Sequence, residues 1–152
     1  MLIRVATLAD LNALVEGNRA MAEETEALRL PLETVRTGVR RVLEGLEAGA
    51  YRVVEVDGRV AAQLMITYEW SDWRARNVWW IQSVYVWPEY RGRGLFKELY
   101  RATREAALAA GAGGLRLYVD ERNTRAQEVY RALGMSSGHY RVCEEMFVGL
   151  SP

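Results

Sequence analysis

Val84-Tyr-Val-Trp-Pro88-Glu-Tyr-Arg91-Gly-Arg-Gly94-Leu-Phe96 is the stretch that decides the fold. A hydrophobic run suited to a strand stops at Pro88. A turn then alternates arginine with glycine before an amphipathic helix opens. Gly92 and Gly94 lack a Cβ, so the backbone there can lie close to a ligand. The first helical turn behind them offers N–H groups without intrahelical acceptors and the positive end of the helix dipole. Arg91 and Arg93 add permanent positive charge, so an anion is expected here.

Rival phosphate motifs do not fit. A G-x-G-x-x-G fingerprint needs a third glycine where Lys97 stands, and no G-x-x-x-x-G-K-[ST] occurs. Formal net charge is zero, so no global field favours nucleic acid or an acidic membrane surface. No run approaches the roughly 18 apolar residues that span a bilayer. The first residues carry no basic segment followed by a long apolar run, and a cytoplasmic protein is expected. A single cysteine, Cys143, excludes an internal disulfide; in its alternating apolar stretch it reads as a small buried hydrophobe. No cluster of metal ligands is present, and His139 reads as structural.

With 152 residues the chain is expected to form one domain, 1–152. Residues 2–6 read as a strand ended by Thr7, a helix cap, and Leu8, Leu11, Leu14 and Val15 follow at helical spacing. Pro31 opens a second helix whose stripe runs Leu32, Val35, Val39, Val42, Leu43 and Leu46, closed by Gly49. Residues 51–56, Asp57-Gly58 and 59–70 make a hairpin signal. Residues 77–87 are a third β-rich run, and 93–110 a helix. Residues 115–119 form another strand, and Asn123 caps a helix closed by Gly134. Residues 139–148 alternate and supply one or two last strands. The order implies a mixed α/β fold around one central, mostly antiparallel sheet of about six to seven strands, with helices on both faces.

Two motifs resemble the GNAT superfamily of N-acetyltransferases. One is Val86-x-Pro88-x-x-Arg91-Gly92-x-Gly94 in its strand–turn–helix setting. The other is Asn123-x-x-Ala126-x-x-x-Tyr130-x-x-x-Gly134-Met135. The resemblance implies acetyl coenzyme A as cosubstrate and coenzyme A as product. Their diphosphate would rest on Arg91, Gly92, Arg93, Gly94, Leu95 and Phe96. The pantetheine arm would lie along Val84, Tyr85 and Val86 like an added strand. It also implies that the strand before the turn splays from its parallel neighbour, that Asn123 reaches the pantetheine arm, and that Tyr130 protonates the departing thiolate. A tyrosine of pKa about 10 keeps the proton this needs. Glu89 stands where the family often has glutamine or arginine, so it should face solvent or pair with an arginine. Phe96, where a small residue is common, narrows the pocket or shifts the helix.

A family base on the strand before the turn would fall near Trp80 or Gln82, neither of which is basic. Glu69, at the end of the hairpin strand, is the expected proton relay for the amine. Glu26, from an acidic 23–26 segment between the first two helices, joins Trp70 and Asp72 as expected contacts to a small cationic amine. The expected reaction is direct acetyl transfer to a primary amine in a ternary complex. A non-catalytic acyl coenzyme A sensor, or an acetyltransferase for protein N-termini or lysines, is the alternative. An edge strand and exposed aromatics make a homodimer an expectation.

Overall fold

The structure is a computed structural model and describes residues 1–150. Its strands are β1 (Leu2–Val5), β2 (Ala50–Val56), β3 (Arg59–Ser71), β4 (Arg76–Val86) and β5 (Gly114–Leu117). Its helices are α1 (Leu11–Glu26), α2 (Leu32–Leu43), α3 (Leu95–Ala109) and α4 (Thr124–Ala132), with 3₁₀ turns at Leu8–Asp10 and Pro88–Tyr90. The backbone divides into two compact units, Met1–Leu117 and Tyr118–Gly149.

In the first unit the five strands form one sheet in the order β1-β2-β3-β4-β5. The first three pairings are antiparallel and β4–β5 is parallel. The Asp57-Gly58 hairpin forms as its sequence dictates: both residues have positive φ, 50° and 75°, which matches the twist of the joined strands. α1 and α2 pack on the sheet face that carries Tyr51 and Val53, through Leu11, Leu14, Val15, Val39 and Val42. Val54, Ala62 and Leu64 alternate to the other face and are fully buried. α3 packs against β2, β3, β4 and β5, with Leu95, Leu99 and Thr103 buried.

Several boundaries differ from the sequence reading, each for a local reason. α1 runs on through Glu23, Glu24 and Glu26, so the acidic segment is its last turn rather than an interhelical loop. It stops where Ala27 enters the left-handed region at φ 52°. α2 ends at Leu43, and Gly45 at φ 72° takes the terminating role assigned to Gly49, which leaves Leu46 exposed. Gly49 serves packing instead, because a Cβ there would stand 2.8 Å from the carbonyl oxygen of Ile66.

The strand count is also lower: among the described residues the sheet has five strands, not six or seven. No strand forms over residues 139–148, and Tyr140, Val142, Met146, Phe147 and Val148 are exposed. The alternation there is broken, since Glu144 falls in the register of Val142 and Met146, and Phe147 in that of Cys143 and Glu145. Cys143, expected to be buried, is therefore exposed.

Candidate functional site

The turn after β4 is built as its glycines require. Gly92 and Gly94 have φ of 76° and 73°, a region that costs an L-residue roughly 1–2 kcal/mol. A Cβ at either would meet no protein atom within 4 Å, so both face open space. Among the described residues, the N–H groups of Gly92, Arg93, Gly94 and Leu95 have no acceptor in the chain. The first internal bond of the helix start comes only at Glu98, whose N–H donates to Gly94 O at 3.2 Å. Free donors, room above them and a 15-residue helix behind them suit a diphosphate. Glu89 is exposed, as its charge demands beside such a group, and Phe96 lies 6.2 Å from the Tyr100 ring.

Arg91 does not aim its side chain at that space. Its Nε donates to Val86 O at 2.9 Å and its Nη2 to Glu24 Oε2 at 2.7 Å, with the guanidinium 5.5 Å from the Tyr85 ring centroid. Tyr85 donates its hydroxyl to Glu24 Oε1 at 2.7 Å. Glu24 thus clasps the last turn of α1 to both β4 and the turn. Its carboxylate sits at the negative end of a helix, an unfavourable place that these two donors offset. Tyr85 and then Arg91 hold the Glu24 carboxyl below the usual range. Burial first, and then the Glu24 bond, push the Tyr85 phenol up to about 12. Arg93 lies over the Tyr90 ring at 5.3 Å.

β4 pairs with β5 only from Val78↔Gly114 to Ile81↔Leu117. Beyond Ile81 its β5-facing edge has no strand partner among the described residues, because β5 ends at Leu117. Here β4 also carries a bulge. Met65 pairs with Gln82 and Gln63 with Tyr85, so Ser83 and Val84 together oppose Leu64. Ser83 adopts φ 50°, in the left-handed region, within a strand. An open edge with its own amides and carbonyls can accept a pantetheine arm along Val84, Tyr85 and Val86.

The expected acceptor residues are not gathered in one place. Glu69 Oε1 takes Arg116 Nη1 at 2.6 Å and Oε2 takes Trp80 Nε1 at 3.0 Å, placing it beside the paired stretch of β4 and β5. Gln82 Nε2 donates to Thr67 Oγ1. Trp70 pairs with Asn77, nine residues before Val86, which is about 30 Å along the strand. With Asp72 it stands at the exposed tip of the β3–β4 hairpin. Glu26 ends α1, exposed, without the partners Glu24 has.

In the second unit Asn123 caps α4, its Oδ1 accepting from Ala126 N–H at 3.0 Å. That is the cap the sequence indicated, and it spends the side-chain oxygen inside the protein. Tyr130 lies in the last turn of the helix, half-buried, and burial raises its phenol above the ordinary value. Gly134 closes the helix at φ 91°.

Sequence reasoning missed two features. One is that Glu24, rather than its neighbours, meets β4 and the turn. The other is the bulge, for which the signals were Gln63 inside an otherwise apolar strand and the polar pair Gln82-Ser83 interrupting β4.

The chain matches the model of the acetyltransferase (GNAT) family over residues 18–135. It is 40% identical over 67 residues to a thialysine N-epsilon-acetyltransferase of Bos taurus, covering 44% of this chain and 39% of that protein. It is 24% identical over 111 residues to an S-alkylcysteine N-acetyltransferase of Bacillus subtilis (strain 168), covering 70% of this chain and 61% of that protein. These matches span less than two thirds of each relative's length. A crystal structure of a possible acetyltransferase from Clostridium difficile 630 superposes with a TM-score of 0.90 at 38% identity, covering 97% of this chain and 98% of that one.

Proposed function

We propose a function from one premise: the chain belongs to the GNAT acetyltransferase family. It transfers an acetyl group from acetyl coenzyme A to a primary amine of a small, cationic or zwitterionic molecule. The observation that carries this reading is the row of uncommitted N–H groups from Gly92 to Leu95 at the end of the open half of β4. Acetyl coenzyme A brings both a diphosphate for the first and a strand-like pantetheine for the second, and its thioester supplies the activated acyl group. The names of the relatives on thialysine and S-alkylcysteine support a small amino-acid-like acceptor.

Direct attack joins the amine nitrogen to the acetyl carbon, and the bond from that carbon to sulfur breaks. The proton leaving the amine passes to Glu69, and the thiolate receives one from Tyr130. Glu69 already accepts two hydrogen bonds, which fix its orientation, and a carboxylate has further lone pairs for an incoming N–H. Tyr130 is suited to giving a proton because burial favours its neutral form. Much of the acceleration comes from holding amine and thioester together.

The test is release of free coenzyme A from acetyl coenzyme A against thialysine, S-alkylcysteines, polyamines, amino acids, aminoglycosides and peptides. A small primary amine is expected to give the highest kcat/KM. No release with any acceptor contradicts the reading, and preference for peptides moves the substrate to protein termini or lysines. Tyr130→Phe should lower turnover at least tenfold while coenzyme affinity holds, the range ordinary for a general acid. Glu69→Gln should lower kcat/KM near neutrality and matter less as pH rises and the amine loses its proton unaided.

A further inference from the structure

The left-handed Ser83 does not hold its conformation alone. Behind it, on the face covered by α1, lies a buried polar chain. Gln63 is 0% exposed, and its Nε2 donates to Asn18 Oδ1 at 2.7 Å and more weakly towards Ser83 O at 3.5 Å. Asn18 Nδ2 donates to the Tyr51 hydroxyl oxygen at 3.1 Å. The Ser83 side chain approaches the same Tyr51 hydroxyl. Side chains of α1, β2 and β3 are thus linked behind the bulge, and Gln63 carries the link to Ser83.

This arrangement is costly for packing alone. Gln63 Oε1 is buried with no hydrogen-bond partner. It presses on α1 so closely that only glycine fits opposite: a Cβ on Gly17 would stand 2.3 Å from it. An apolar side chain of similar size at position 63 would fill the same space without an orphaned acceptor. Strained backbone persists where its surroundings over-determine it, and such places concentrate at reacting centres. Ser83 lies in the stretch of β4 that β5 leaves uncovered.

We propose that Gln63, Asn18 and Tyr51 are positioning residues that brace Ser83 in its left-handed conformation, and so fix the direction of the main-chain groups of the bulge, which the acetyltransferase reading sets beside the thioester. This rests on the acetyltransferase reading for its consequence, but not for its structural half. The brace touches no reacting atom. It sets the geometry of main-chain groups that do, and displacement of such groups by about 1 Å can cost on the order of a hundredfold in rate.

Tyr51→Phe keeps the ring and deletes the hydroxyl that meets Ser83. It should fold, lower kcat at least tenfold, and leave coenzyme A affinity within about twofold. Adding Ser83→Gly should restore most of the lost turnover, because glycine adopts φ near 50° without a brace. Hydrogen exchange gives a readout independent of turnover: in Tyr51→Phe the Ser83 and Val84 amides should exchange faster while those of Val53 and Leu99 keep their rates. A kcat unchanged in Tyr51→Phe, an equal loss of coenzyme affinity, or uniform acceleration of exchange across the core each overturns the proposal. If the parent protein proves inactive with every amine, the exchange comparison still decides whether the brace exists, and only the acetyltransferase reading falls.

Discussion

Glu24 shows how much one side chain can organise. Three glutamates crowd the last turn of α1, where the helix dipole disfavours negative charge. Glu24 is the one that reaches β4 and the turn, through Tyr85 and Arg91, while Glu23 lies 3.8 Å from Arg29. The pH range of this clasp follows from its two shifts. The Glu24 carboxyl lies below its ordinary 4.5, so its contribution is present above that value and is lost as pH falls through the lowered one. The Tyr85 phenol is raised to about 12, so its contribution is complete below 10 and is lost as pH rises through 12. The clasp is therefore intact across the neutral range. In Glu24→Gln, ultraviolet titration of the tyrosines should show one phenol moving down from about 12, though still above 10, because burial remains. A midpoint that does not move would remove Glu24 from the contact. None of this was legible in the sequence. Four acidic or polar residues in a row look alike until the fold shows which one faces a strand.

At the scale of elements, the turn before α3 was readable because its constraint is local. Two glycines of positive φ, with a helix directly behind, leave little choice of backbone. The bulge left only an indirect trace, polar residues inside β3 and β4, because its partner Gln63 lies 20 residues away in the chain. Glycine itself separates the cases. Gly94→Ala meets no clash, so its cost should be the backbone strain alone, roughly 1–2 kcal/mol, with a clear loss of coenzyme affinity. Gly17→Ala drives a methyl to within 2.3 Å of Gln63 Oε1 and 2.8 Å of Trp87 Cη2, and should destabilise through those two clashes. Gly38→Ala lies inside α2 with open space around it and should stabilise by about 0.5–1 kcal/mol. Denaturant melts of the three variants check this order; a common sign would refute it.

Across the whole molecule, the mixed α/β class and the Asp57-Gly58 hairpin followed from turn chemistry and alternation. The C-terminal stretch did not, because an imperfect alternation carries no information about whether a neighbouring strand is there to receive it. A consequence is that Cys143 is open to solvent, and a native-state thiol reagent should modify it fully without denaturant. Protection until unfolding would restore the buried strand that the sequence suggested. The decisive claim concerns the grip of main-chain donors on a diphosphate, and calorimetry of coenzyme A against pantetheine measures it most directly. Coenzyme A should bind, and pantetheine, which lacks the diphosphate, should bind far more weakly. No heat with millimolar coenzyme A, or equal affinity for the two, would contradict the account.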